Sequence, residues 1–128
     1  MDDLVKYRLE AAKDKLNSSL ILLEAGQYKD SIGRSYYAIF TAVRALLAVD
    51  QVDFSKHAGV ISYFQKEYIK SGEIDSKYSK VLQSAFQIRN VCDYDDFYLA
   101  SKTDAEEQYK NADEMIGVIE NYLSGKIT

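Results

Sequence analysis

Ser31-Ile32-Gly33-Arg34-Ser35-Tyr36-Tyr37-Ala38-Ile39-Phe40-Thr41-Ala42-Val43-Arg44-Ala45-Leu46-Leu47 is the stretch whose reading decides the fold. With successive residues turned by about 100°, Ile32, Tyr36, Ile39, Phe40, Val43, Leu46 and Leu47 share one side of a helix, which predicts a core face. Ser35, Ala38, Ala42 and Ala45 gather on a second side, where small side chains let a neighbouring helix come close. Arg34, Tyr37, Thr41 and Arg44, at spacings of 3, 4 and 3, form a third stripe nearly opposite the large apolar one. A helix occupied on three sides has little surface left for water and reads as the centre of a bundle. Its arginines must be paired, part-exposed or turned to a partner, because an isolated buried guanidinium is too costly to keep.

The flanking sequence continues the pattern. Val5, Leu9, Ala12, Leu16, Leu20 and Leu23, spaced 4, 3, 4, 4 and 3, predict an amphipathic helix from Asp2 to about Ala25, with Gly26 as its stop. The link Gln27-Tyr28-Lys29 is so short that this helix and the central one must be antiparallel neighbours. Helical periodicity fades at Val49-Asp50. Ser55 is expected to cap a short third helix that turns Ala58, Ile61, Phe64 and Tyr68 or Ile69 inward and ends at Ser71-Gly72. Asp75 or Ser76 opens a fourth, in which Tyr78, Val81, Leu82, Ala85, Phe86 and Arg89 keep the 3-4 rhythm. Asp93, Asp95 and Asp96 oppose the helix macrodipole, which places the end near Cys92 or Asp93. Thr103-Asp104-Ala105-Glu106 reads as a capping box for a last helix through Tyr109, Ala112, Ile116, Ile119 and Leu123. The expectation is an all-α, up-and-down bundle of four long helices plus a shorter one, in a single domain over residues 1–128.

Composition narrows the function classes. The 128 residues are 47% hydrophobic and 28% charged, with no proline, and no apolar run nears the roughly 20 residues that span a bilayer. Met1-Asp2-Asp3 is not the basic start of a secretory signal, and Cys92 is the only cysteine, so the default expectation is a cytoplasmic protein without a disulfide. A net charge of -4 argues against general affinity for polyanions but leaves room for a local basic patch. The single histidine, His57, with one distant cysteine does not supply the ligands of a metal site, and no cofactor is implied. A capping, packing or partner-facing role for His57 fits better. Of the eleven tyrosines, Tyr36, Tyr78, Tyr109 and Tyr122 lie on apolar faces and read as core, whereas Tyr37 and Tyr94 stand off those faces and near arginines.

Taken together, Arg34-Ser35-Tyr36-Tyr37-Ala38-Ile39-Phe40, Ala42 to Leu47, Lys56-His57-Ala58-Gly59-Val60-Ile61 and Arg89-Asn90-Val91-Cys92-Asp93-Tyr94 resemble the small stand-alone HEPN proteins, the higher eukaryotes and prokaryotes nucleotide-binding domain. The resemblance covers nearly the whole chain. It implies a helical bundle, usually a two-fold homodimer, among relatives that include ribonucleases and toxins often encoded beside a minimal nucleotidyltransferase antitoxin. In the active ribonucleases an arginine is followed after four to six residues by a histidine, and two such pairs meet across the dimer to cleave RNA without metal. Arg89 and Asn90 match the start of that motif. The histidine positions hold Tyr94, Asp95 and Asp96.

Transfer of a 2′-hydroxyl proton suits a group titrating near neutrality, as histidine does at about 6.5; tyrosine at about 10 and aspartate at about 3.9 each lie roughly 3 units away. With the histidine absent, the resemblance implies binding rather than catalysis: a nucleotide- or RNA-associated regulatory module of toxin–antitoxin type, contacting its ligand or a nucleotidyltransferase through Arg89, Asn90, Asp93, Tyr94, Arg34, Tyr37 and Arg44. Two alternatives stand beside it. One is a metal-independent ribonuclease toxin using an unusual base, with Arg89, Asp93 and Tyr94 as catalytic candidates; the other is a helical adaptor without a nucleic-acid role, in which Arg89 and Asp93 are simply an i, i+4 ion pair.

Overall fold

The computed structural model describes residues 2–125; the outer ends of the domain expected over 1–128 lie outside these. Five helices follow one another: α1 (Asp3–Glu24), α2 (Tyr28–Val49), α3 (His57–Phe64), α4 (Lys77–Tyr94) and α5 (Lys102–Gly125). The all-α bundle of four long helices and one short helix is as the periodicity predicts. α2 packs against each of the other four. Its Ile32, Tyr36, Ile39, Val43, Leu46 and Leu47 are buried to within about 1% of full burial, and Phe40 is 7% exposed.

The small-residue side of α2 is buried completely at Ser35, Ala38, Ala42 and Ala45. At its start three serines close the seam with α1. Ser19 Oγ lies 2.9 Å from the Ser31 carbonyl and 2.6 Å from Ser35 Oγ, and Ser31 donates to the Ser19 carbonyl at 2.9 Å. Buried hydroxyls that find each other and the backbone cost little, so the two helices can approach without stranding a polar group.

Three local details differ from expectation. The residue before α3 is Lys56 in extended conformation with no side-chain cap, so Ser55 does not cap it. α3 buries Val60, Phe64 and Tyr68, while Ala58 is exposed and Ile61 only partly covered. A π-helical turn over Gln65–Ile69 extends α3 and brings the Tyr68 hydroxyl to Asp50 Oδ2 (2.7 Å), which also accepts from Tyr63 (3.0 Å). These two bonds anchor the α2–α3 connection, and tertiary anchoring outweighs the weak local cap. Phe54 folds back over Gly59, where any Cβ would meet the Phe54 ring and Cβ at 2.9–3.1 Å, so the connection requires glycine there. Finally, α5 starts one turn-fraction early: Ser101 Oγ accepts the Asp104 amide at 3.0 Å, so the cap is Ser101 rather than Thr103.

Candidate functional site

The third stripe of α2 lies beside α4 and the α2–α3 connection. Arg34 is exposed, and Tyr37, Thr41 and Arg44 are half-buried. From α4, Arg89 crosses to this stripe with only 14% of its side chain exposed. One guanidinium nitrogen donates to the Tyr37 hydroxyl, and the other terminal nitrogen donates to Asn90 Oδ1 at 3.0 Å. Nε is 3.0 Å from Asp93 Oδ2 but poorly aligned, so this contact is an ion pair rather than a well-directed hydrogen bond. The guanidinium plane also lies over the rings of Tyr36 and Tyr37, 5.4 and 5.1 Å from their centroids.

His57, distant in sequence, joins the same cluster. Its Nδ1 is 2.8 Å from the Tyr36 hydroxyl, and its ring stacks on Phe40 with centroids 4.2 Å apart. Burial lowers the imidazole below its ordinary pKa, and the Arg89 and Arg44 charges push it the same way, so His57 is neutral at pH 7. Burial raises the Tyr36 phenol, outweighing the opposing pull of Arg89, and keeps it protonated. The result is a continuous set of polar and aromatic groups, Asp93–Arg89–Tyr37 and Tyr36–His57, assembled from α2, α3 and α4.

Tyr37 walls two open clefts toward opposite ends of α1. One, of about 450 Å³, is lined by Lys29, Asp30, Arg34, Tyr37 and Asp93. The other, of about 500 Å³, carries Arg8, Lys15, Tyr37, Arg44 and His57. Among the described residues no three His, Cys, Asp or Glu side chains are placed to share a metal ion.

The candidates named from the sequence therefore divide. Arg89, Asn90, Asp93 and Tyr37 meet directly, and Arg34 shares a cleft with Tyr37 and Asp93. Arg44 stands in the second cleft, paired with Asp53 at 2.8 Å. Tyr94 is 77% exposed, and its side chain makes no hydrogen bond or ring contact among the described residues. Arg8 and Lys15 escaped the sequence reading because both lie on the polar side of α1. The signal was the row Leu4, Arg8, Ala11, Lys15, whose spacings of 4, 3 and 4 mark a second helical stripe.

With this geometry in hand, the family model described as HEPN domain matches residues 5–122. The chain belongs to the HEPN domain family. A UPF0332 protein of Thermotoga maritima is 26% identical over 122 residues, which cover 95% of this chain and 92% of that one. Two proteins of Methanocaldococcus jannaschii are also similar: Putative toxin MJ0142, 30% identical with 92% of this chain and 80% of its own covered, and Putative toxin MJ0605, 35% identical with 70% and 67% covered. Within this HEPN domain Arg89 is largely enclosed, with 14% of its side chain exposed. No helix among the described residues is long and apolar enough to cross a membrane.

Proposed function

We propose that this HEPN domain is a toxin-like, cytoplasmic module that binds the phosphates of RNA or a nucleotide across the Arg89–Tyr37 cluster, works as a homodimer, and is regulated by a minimal nucleotidyltransferase. The observation that carries this reading is the state of Arg89. Its charge is held by one half-exposed carboxylate and one phenol, its plane is fixed by two rings, and guanidinium N–H groups remain for a phosphate oxygen pair. The cleft beside it adds Lys29 and Arg34, with Asp30 and Asp93 as their counter-charges, so an entering phosphate would meet further forked and ammonium donors there. The similarity to proteins named as toxins supports the class. The exposed apolar side chains of Phe97 (94%) and Leu99 (89%), between α4 and α5, support an association surface for a second copy.

The test is a titration of fluorescent single-stranded RNA at two salt concentrations, with light scattering on the same sample. The expected result is saturable binding that weakens as salt rises, by a species of twice the 14.6 kDa chain mass. Absence of RNA and nucleotide binding would remove the reading, and a monomer would remove its dimeric part.

One observation favours a second reading, metal-independent RNA cleavage: His57 stands in the Arg89 cluster as a neutral imidazole. Such a group can take the 2′-hydroxyl proton while the 2′-oxygen bonds to phosphorus and the 5′-oxygen departs, and can return that proton to the departing oxygen. Cleavage in the presence of a chelator that disappears in His57→Gln would establish it; intact RNA with the wild type would reject it.

A further inference from the structure

On the face formed by α1, α2 and the α2–α3 connection, two arginines converge on one carboxylate oxygen. Arg8 and Arg44 each place a terminal guanidinium nitrogen near Oδ2 of Asp53, at 3.1 and 2.8 Å, and Asp53 Oδ1 accepts the Phe54 amide at 2.8 Å. One negative charge thus answers two positive ones. Arg8 also donates to the Arg44 backbone carbonyl at 2.9 Å, which ties its side chain to α2. Lys15 adds a third cation to the same cleft and makes no ion pair among the described residues. An adjoining cleft of about 470 Å³ shares Arg44 and His57 and contributes Lys56.

In a chain of net charge -4, this local surplus is out of character. Fixed, partly desolvated guanidinium groups in excess of their carboxylates attract an anion, and a phosphate oxygen pair fits their forked donors. The arrangement also has an aromatic side. Tyr7 is 70% exposed at the rim of the cleft, Tyr37 is its inner wall, and His57 faces it from the ring stacked on Phe40. Base-sized planar groups stack on such faces with little regard to sequence.

We propose that the cleft between α1 and α2 is a phosphate-ester subsite in which Arg8, Lys15 and Arg44 hold the phosphate, His57 bonds to one of its oxygens, and Tyr7 offers its face to the attached base. This rests on the nucleic-acid reading of the preceding subsection and adds a second anchoring point, reached through Tyr37, to the one at Arg89. The same chemistry is offered by a free nucleotide and by one residue of a single strand.

His57 is the only histidine, so its imidazole carbon-bound protons are unambiguous in an NMR spectrum. Because its ring also touches Tyr36 of the Arg89 cluster, they are read in the wild type and also in Arg89→Ala, where a response reports this cleft. The probes are inorganic phosphate, adenosine 5′-monophosphate and a six-nucleotide single-stranded RNA. The expected result is a saturable shift of the His57 signals with the nucleotide or the RNA, at lower concentration than with phosphate. Saturation by the nucleotide identifies a free ligand, and saturation by the RNA alone identifies a strand. Asp53→Asn removes the carboxylate that competes for the arginines and should tighten binding about threefold or more, whereas Lys15→Glu should weaken it about tenfold. A purely structural role for the Asp53 pairs predicts the opposite sign for the first variant. Lys15→Glu touches no ion pair and keeps the test valid if Asp53→Asn fails to fold. Unmoved His57 signals with all three probes, equal affinity for phosphate and nucleotide, or unchanged affinity in Lys15→Glu would each overturn the proposal. RNA binding lost in Arg89→Ala while His57 never responds would overturn this subsite and leave the Arg89 reading standing; a His57 response to nucleotide without any RNA binding would uphold this subsite with a free nucleotide as its ligand.

Discussion

The two long sides of α2 are built from one periodic stretch yet obey different rules. Toward α1, Ser35, Ala38, Ala42 and Ala45 are fully buried, and the serine hydroxyls bond among themselves and to backbone carbonyls. Every polar atom of that seam has a neighbour, so the seam gains from being closed and has nothing to offer a ligand. Along the other side, Arg34, Tyr37, Thr41 and Arg44 remain part-exposed, and the Nε atoms of Arg44 and Arg89 are buried without an aligned acceptor. Buried polar groups are nearly always satisfied in folded proteins, and these two guanidinium groups find their charge partners in Asp53 and Asp93, both half-exposed at the rim of this face. α2 thus stabilises the fold through two of its sides and leaves the third, with Arg34, Tyr37 and Arg44, partly open to solvent.

The largest expected effect breaks the closed side. Leu46 is fully buried, and Leu46→Ala should cost about 2–5 kcal/mol in urea melts while leaving the affinity of the folded fraction for RNA unchanged. A change in affinity there would mean that the core and the stripe are not separable. Arg34 supplies the converse case. It is exposed, so Arg34→Ala should alter stability by less than about 0.5 kcal/mol but lower RNA affinity severalfold and reduce its salt dependence. Unchanged affinity and salt slope would take the cleft of Lys29 and Arg34 out of the binding surface.

A smaller effect comes from His57, which joins the two sides through Tyr36. Its pKa in the folded protein lies below the ordinary value of about 6.5, because burial and the Arg89 and Arg44 charges disfavour the imidazolium. The unfolded chain therefore takes up the proton first as pH falls. The associated stability is fully present above about pH 6.5 and is lost as pH drops toward the folded value. Stability measured between pH 7.5 and 5 should fall, and His57→Gln should flatten that slope; an equal slope in the variant would show that carboxylates alone produce it.

Much of this organisation is legible in the sequence, for reasons that also explain what is not. The sides of α2 follow from helical geometry alone, and so do Val5, Leu9 and Ala12 on α1 and Ala112, Ile116, Ile119 and Leu123 on α5, all buried. The i, i+4 pair of Arg89 and Asp93 is equally local. His57 meeting Tyr36 is a contact over 21 residues, set by the Tyr68 and Tyr63 bonds to Asp50 that fix the α2–α3 connection. No periodicity encodes it. The cap at Ser101 rather than Thr103 and the inward turn of Val60 rather than Ala58 are shifts of two residues, small in register but enough to change which face a side chain takes. Arg8 and Arg44 sharing Asp53 required three segments to be placed at once.

The central claim, that Arg89 is kept for an anion rather than for the bundle, is tested most directly by Arg89→Ala and Asp93→Asn in paired melts and RNA titrations. Asp93 is 47% exposed, so Arg89→Ala leaves no buried charge behind and should cost only about 1–2 kcal/mol from the lost hydrogen bonds and ring contacts. It should abolish RNA binding, and Asp93→Asn, which keeps the shape, should weaken binding less. A loss of about 3–5 kcal/mol in Arg89→Ala, the mark of a buried structural pair, together with unchanged RNA affinity in whatever fraction stays folded, would contradict the account.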